Sequence, residues 1–253
     1  ALRADEMEMV DFLTEKEQVI ETVNQPTSPE RDTPLAHALR NRDFVTAERL
    51  LHLGASINVE REAGIPFLIE AVKSSDLEMF EFLMVNNVDV EFRGATPHSA
   101  FAIAMAEGNT AKMEALSKAG ADLNANGVTG NPLLIEAVKD NNNDKIEFLL
   151  SRGADVNIRT SESSGAGLTA MSFAISKQDG WIIDALLNAG ADTNHIGPNG
   201  DALLYESVDN HRYDLVHLFL ENGALTESEG STGETALGCA VRHEDLEMVE
   251  LLL

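Results

Sequence analysis

Apolar residues recur along this chain at fixed distances instead of in runs. From Thr33 the pattern restarts at Pro66, Ser99, Pro132, Thr169, Ala202 and Thr235, each step being 33 residues except one of 37 between Pro132 and Thr169. Two residues into each repeat stands Leu35, Leu68, Phe101, Leu134, Met171, Leu204 or Leu237. Five residues in, the position is alanine in every repeat but one, where it is Ser207. Six in are Leu39, Val72, Met105, Val138, Ile175, Val208 and Val241. Positions two, five and six share one face of a short helix. A further column, seventeen in, runs Leu50, Leu83, Leu116, Leu149, Leu186, Phe219, Leu252 and belongs to a second helix, such as "LEMFEFLMVN" from Leu77 to Asn86.

Glycine and asparagine punctuate the pattern. Gly54, Asn87, Gly120, Gly153, Gly190 and Gly223 follow the second helix, where a left-handed residue ends it. Gly64, Gly130, Gly167, Gly200 and Gly233 stand two residues before a repeat and predict a tight turn into the first helix. Each repeat is therefore turn, short helix, turn, longer helix, loop. One such pair cannot bury its own apolar face, so neighbours must stack into an all-α solenoid.

This pattern resembles the ankyrin-repeat family, which has a 33-residue period and a T-P-L-H-x-A signature. The matching text is "TPLAHA" (33–38), "GETALGCA" (233–240), "GASIN" (54–58), "GADLN" (120–124), "GADVN" (153–157) and "GADTN" (190–194). The histidine of the signature is absent: its positions hold Ala36, Ile69, Ala102, Ile135, Ser172, Tyr205 and Gly238. Pro66 and Pro132 replace the opening threonine, which suits the first turn of a helix but removes a side-chain hydrogen bond. The central repeats are expected to be less regular for that reason.

The domain reading is six complete repeats, 33–65, 66–98, 99–131, 132–168, 169–201 and 202–234, preceded by a partial repeat with a longer loop (1–32) and followed by a truncated one (235–253). Ala1–Leu13 and Ala240–Leu252 share six of thirteen residues, so the chain starts and stops on the same element. Both ends fall inside a repeat, which leads to the expectation of a stretch from a longer array or a multidomain protein. The apolar end "ELLL" makes end-to-end self-association of such a fragment an expected risk. Two insertions, around "NQPTSPERD" (24–32) and "RTSESSGAG" (159–167), are rich in Pro, Ser and Gly and read as extended fingertips. The first is also readable as a break between sub-arrays.

Composition narrows the function. A net charge of −25 argues against tracking nucleic-acid phosphates. The single cysteine, Cys239, excludes an internal disulfide framework and a multi-thiolate zinc site, and fits an intracellular, cytoplasmic or nuclear compartment. No apolar run reaches the roughly 18 residues that a membrane span needs, so no direct membrane insertion is expected of this segment. Nothing resembles a catalytic constellation: the seven histidines are scattered, and no phosphate-binding loop or nucleophile elbow is present. "DNNND" (140–144) looks like an acidic metal loop, but its register makes it a turn between helices. The reading is of no enzyme, no cofactor and no metal. Cys239 is expected on an accessible side of its helix, incidental and not catalytic.

The family resemblance implies that a protein or peptide partner lies against the first helices and the finger loops. Positions four, seven and eight lie off the buried columns. They hold six acids and five bases, so the excess acid lies elsewhere. Candidate contacts are Arg40, Glu70, Lys73, Ile103, Glu107, Glu136, Lys139, Phe173, Lys177, Glu206, Asp209 and Arg242, with Phe92, Arg93, Ile158 and Arg159 at finger bases. Ile103 and Phe173 are the apolar points of this surface; Phe173 either faces the groove or fills space behind the longer loop. Glu70/Lys73 and Glu136/Lys139 are spaced to pair with each other on a helix. Trp181 opens a second helix on the side away from the groove. Asparagine hydroxylases modify hairpins in this family, and "LLSRGADVN" ending at Asn157 resembles their favoured context. The expected function is a binding scaffold, with a regulatory segment of a larger enzyme or ion channel as the alternative.

Overall fold

The structure, a computed structural model, describes residues 22–25, 33–74, 76–161, 167–197 and 199–253. The partial repeat at 1–32, apart from residues 22–25, and the middle of the longer loop at 162–166 lie outside the described residues. The fold is an all-α repeat solenoid that divides into two compact units, residues 1–122 and 123–253.

In the first unit, helices pair as α1 (Pro34–Arg40) with α2 (Phe44–His52), α3 (Phe67–Lys73) with α4 (Leu77–Val85), and α5 (Ala100–Glu107) with α6 (Thr110–Lys118). In the second unit the pairs are α7 (Leu133–Lys139) with α8 (Asn143–Ser151), α9 (Ala170–Lys177) with α10 (Gly180–Asn188), α11 (Leu203–Asp209) with α12 (Tyr213–Glu221), and α13 (Ala236–Arg242) with α14 (Leu246–Leu252). Helix α3 packs on α5 in the first unit; α7 packs on α9 and α11 on α13 in the second. Leu35, Leu68, Phe101 and Leu134 are buried, as are Leu83, Leu116, Leu149 and Phe219. Each such side chain contributes about 1.5–3 kcal/mol on burial. The alanine column is buried too, at Ala71 and Ala104 in one unit and at Ala137 and Ala174 in the other. A methyl group there lets neighbouring first helices approach closely.

Polar side chains set the helix starts. Thr33, Ser99 and Thr235 accept from the N–H groups of Ala36, Ala102 and Gly238 at 3.2, 3.2 and 3.1 Å. Pro66 and Pro132 do not sit in the first turn as the sequence suggested. They stand one residue earlier, in extended conformation at the cap, and give no side-chain hydrogen bond. Asp43, Asp76, Asn109, Asn142, Asp179 and Asp245 cap second helices with a side-chain oxygen. Asn142 thus ends the "DNNND" turn as a helix cap.

The fingers between helix pairs are pinched by single antiparallel bridges, Glu60 to Pro66 in the first unit and Asn126 to Pro132, Arg159 to Thr169, Ile196 to Ala202 and Glu229 to Thr235 in the second. Asparagines lock one finger base to the next. Asn58 accepts from the Asp89 N–H at 2.9 Å, and Asn124, Asn157 and Asn194 accept from Asp155, Asp192 and Leu225, each at 2.8 Å. Where the repeat has Glu91 in place of asparagine, its carboxylate accepts from the Asp122 N–H at 3.0 Å instead.

One turn breaks the pattern. In most pairs the carbonyl of the alanine column accepts a backbone N–H from the following turn, as Ala38 does from Asp43 and Ala104 from Asn109. Helix α3 instead ends on Ser74 in extended conformation, and the Asp76 N–H turns to the Ser74 hydroxyl. The Lys112 ammonium comes in from α6 and donates to the carbonyls of Ala71, Val72 and Ser74 at 2.8, 2.6 and 2.7 Å. Lys112 is 2% exposed, a buried cation closing a helix C-terminus.

Candidate functional site

The side chains at positions four and seven decide what the first helices present. In the second unit, Glu136 does not pair with Lys139, three residues on. Its carboxylate folds back over the preceding finger and accepts from the Thr129 N–H at 2.7 Å and from the Thr129 hydroxyl. Gly127 makes room for it: a Cβ there would lie 2.0 Å from Glu136 Oε2. Glu206 likewise lies against a finger glycine, Gly197, where a Cβ would stand 2.6 Å from its Oε2. Burial, with Asp201 nearby, pushes the Glu206 carboxyl above its ordinary value. In the first unit the corresponding finger residue is Arg61, and Glu70 forms an ion pair with it. Both expected Glu–Lys pairs are thus replaced by contacts with the finger, because the side chain at position four starts beside the turn that enters the helix.

With Glu136 turned away, Lys139 extends over Phe173. Its ammonium lies 4.6 Å from the ring centroid. Phe173 is half-buried, and Lys139 and Lys177 are exposed around it. A cation over an aromatic face contributes on the order of 0.5–1 kcal/mol at an exposed site. Ile103 behaves differently: it is 6% exposed, so it belongs to the core of its unit and offers no contact surface. Its helix, "AFAIAMAE", is apolar on nearly all sides, and position four is covered with the rest. Lys73, Glu107, Asp209 and Arg242 are exposed, while Arg40 is half-buried. At the finger bases Phe92 and Ile158 are half-buried and Arg93 and Arg159 are exposed; Arg93 donates to Glu91 at 3.0 Å. Asn157 is exposed, yet its amide is engaged at both ends, since its nitrogen also reaches the Gly190 carbonyl at 3.3 Å. Trp181 is 43% exposed at the start of α10.

Cys239 is fully buried, contrary to the accessible position expected. Asp209 and Arg242 cover it. The thiol donates to Asp209 Oδ1 at 3.4 Å, and Arg242 Nη2 donates to the same oxygen at 3.1 Å and to the sulfur at 3.2 Å. Arg242 Nη1 lies 2.8 Å from His243 Nε2, and its Nε donates to Glu234, which also accepts from the Tyr205 hydroxyl at 2.9 Å. The donor atoms of Asp209, Cys239 and His243 lie within 4.8 Å of one another, close enough to hold a metal ion. The guanidinium already stands among them. Burial, reinforced by Asp209, also pushes the thiol up to about 11, whereas the Arg242 hydrogen bond holds the Asp209 carboxyl low. A metal would have to expel Arg242 and deprotonate that thiol, so the arrangement serves chemically as a closed network locking α11 to α13.

Three features escaped the reading of the sequence: the buried Lys112, the asparagine locks and the pairing of Glu70 with Arg61. The asparagines were visible in the "GADxN" motifs, but their partners lie about 31 residues onward and only stacking supplies them. Among the described residues no helix is long and apolar enough to cross a membrane.

A family model described as "Ankyrin repeats (3 copies)" matches residues 68–160 and 162–253. No curated protein matches the sequence. The chain is similar to a solved structure titled "Crystal structure of the ankyrin repeat domain of Bcl-3: a unique member of the IkappaB protein family". The TM-score is 0.60 at 21% identity, over 87% of this chain and 98% of that one. A likeness at that identity concerns the fold.

Proposed function

The chain belongs to the ankyrin-repeat family, and on that premise we propose that it is a non-catalytic scaffold that binds a protein or peptide against its first helices. Ankyrin repeats are in general protein–protein interaction modules, and the fold is typically non-catalytic. The observation that carries the reading is Phe173, half-buried beneath the Lys139 ammonium with Lys177 one helical turn away. An aromatic anchor in a polar rim is where interface energy concentrates, and truncating such an anchor costs about 2 kcal/mol or more. Glu206, Asp209 and Arg242 continue the polar surface along the same unit.

The test is a pull-down with the full-length protein, wild type against a Phe173→Ala, Lys139→Glu, Glu206→Lys variant. Thermal melting of both baits checks that the variant folds. Partners captured by the wild type should bind the variant at least about 30-fold more weakly, as 2 kcal/mol requires. A folded variant that keeps every partner removes this surface from the function.

A further inference from the structure

Tryptophan occurs once in the chain, and its ring reaches the surface of the second unit. Trp181 is the second residue of α10 and is 43% exposed. The helix is held without it, because Ile182, Ile183, Leu186 and Leu187 are buried along its other side. A Cβ added to Gly180, just before the ring, would meet no atom within 4 Å, so nothing crowds the backbone there.

The surroundings of the ring are acidic. Asp184 lies three residues on, on the same face of α10. Helix α8 packs against α10, and the repeat register sets Asp144 beside Trp181 and Glu147 beside Asp184. These three carboxylates are exposed, and among the described residues none of them is in an ion pair. Asp179 caps α10, accepting from the Ile182 N–H at 3.2 Å, and offsets the positive end of that helix. Taken with their caps, α8 and α10 carry four acids and two bases, Lys145 and Arg152. Lys145 is half-buried, and the Arg152 guanidinium lies 3.8 Å from the Phe148 ring centroid. Lys177 and Asp140 share one position in neighbouring repeats and offset each other. On α12, Asp214 is paired with Arg212 at 2.8 Å, and His217 lies 3.3 Å from Glu221.

An aromatic face inside a negative rim selects its occupant. A guanidinium stacks flat on an indole, and carboxylates beside the ring supply the countercharge. The whole chain favours the same choice: at a net charge of −25 it draws a basic segment and repels nucleic acid, anionic lipid and a second copy of itself. We propose that the Trp181 face of α8 and α10 docks an arginine-bearing basic segment of a partner protein, one guanidinium on the indole and adjacent cations against Asp144, Glu147 and Asp184. This face lies on second helices, apart from Phe173 on the first helix α9, so it is a further surface and does not depend on the Phe173 reading.

Because Trp181 is the only tryptophan, its emission reports on this site alone. The probe is a blocked peptide, acetyl-Arg-Ala-Arg-Lys-amide, titrated into the full chain at low salt. The expected result is a saturable change in tryptophan emission whose midpoint moves to higher peptide concentration as salt is added. A peptide with citrulline for both arginines keeps their shape without the charge. It should bind at least about tenfold more weakly, as the wild-type peptide should to an Asp144→Asn, Glu147→Gln, Asp184→Asn variant with an unchanged melting temperature. Equal binding of the citrulline peptide, or a folded variant that binds as well as the wild type, overturns the proposal. Trp181→Leu, followed by calorimetry, should lose affinity as well; full retention overturns the role of the ring. Spermidine binding as tightly as the peptide overturns the choice of a protein segment. Phe173→Ala should leave the titration unchanged, and a lost response would assign the peptide to that surface instead.

Discussion

Gln178 ends helix α9 in the left-handed region, at φ 58°. The same turn position holds Arg42, Asn141, His211 and Glu244, all left-handed, and Gly108 at φ 70°. A side chain in this region costs about 1–2 kcal/mol, part of which glycine returns through greater freedom in the unfolded chain. Replacing Gln178 by glycine should therefore stabilise the protein by roughly 0.5–1 kcal/mol, read as a higher denaturant midpoint with an unchanged slope. A lower midpoint would show that the Gln178 side chain makes contacts that outweigh its backbone strain. Cys239 gives a second test at this scale. Its sulfur is buried and its thiol raised to about 11, so iodoacetamide at about pH 8 should label the native protein far more slowly than the denatured one. Rapid native labelling would mean that Arg242 and Asp209 do not cover it. The alanine and leucine columns were legible from spacing alone, but the burial of Cys239 was not. It depends on an arginine three residues away and an aspartate thirty residues away meeting over one sulfur.

At the scale of elements, the end of α3 is where local sequence and tertiary contact part company. Lys112 and Lys145 occupy the same repeat position, yet Lys112 is buried and Lys145 is half-buried. The difference arises on the preceding helix, where Ser74 is extended and the Asp76 N–H turns to the Ser74 hydroxyl and not to the Ala71 carbonyl. Lys112→Met keeps the stem and removes the ammonium that the buried carbonyls of Ala71 and Val72 and the half-buried one of Ser74 accept from. Loss of these charge-assisted bonds should cost about 2–3 kcal/mol, and amide exchange in α3 should accelerate. Lys145→Met should change stability by no more than a few tenths of a kcal/mol. Equal losses in the two variants would show that Lys112 acts only as packing. The asparagine locks teach the same lesson. Glu91 breaks the sequence motif but keeps the hydrogen bond, because the carboxylate reaches the same N–H.

For the whole molecule the governing quantity is charge. The carboxyls of Asp43, Asp209, Asp214 and Asp245 are held below their ordinary values, by hydrogen bonds from Thr46, Arg242, Arg212 and Tyr213 in turn. Each lends stability that is present above the unfolded value, about 3.9, and lost as pH falls through the lower folded one. Glu206 has the opposite sign, since burial raises it and acid favours its folded form. Four groups against one make acid destabilising among those described. Relief of repulsion in a chain of net charge −25 works the other way between neutrality and the carboxylate range. The melting temperature at low salt should therefore rise from about pH 7 to about pH 5 and fall below about pH 4. About 0.5 M salt should flatten the rise and leave the fall. A melting temperature that keeps climbing below pH 4 would show that the aspartate hydrogen bonds contribute little. The sequence by itself determined the repeat, the order of helix and turn, the buried columns except at Val241, which is 60% exposed, and the family, because all of these follow from the spacing of apolar residues and glycines within one repeat. Tertiary structure alone decided which polar groups are covered: Lys112 across two helix pairs, Cys239 beneath Arg242, Ile103 in the core, and Glu136 turned from Lys139 toward Thr129. The physical reason is distance: each of these contacts depends on where a neighbouring turn or helix brings a donor or a covering group, and that placement exists only once the repeats have stacked.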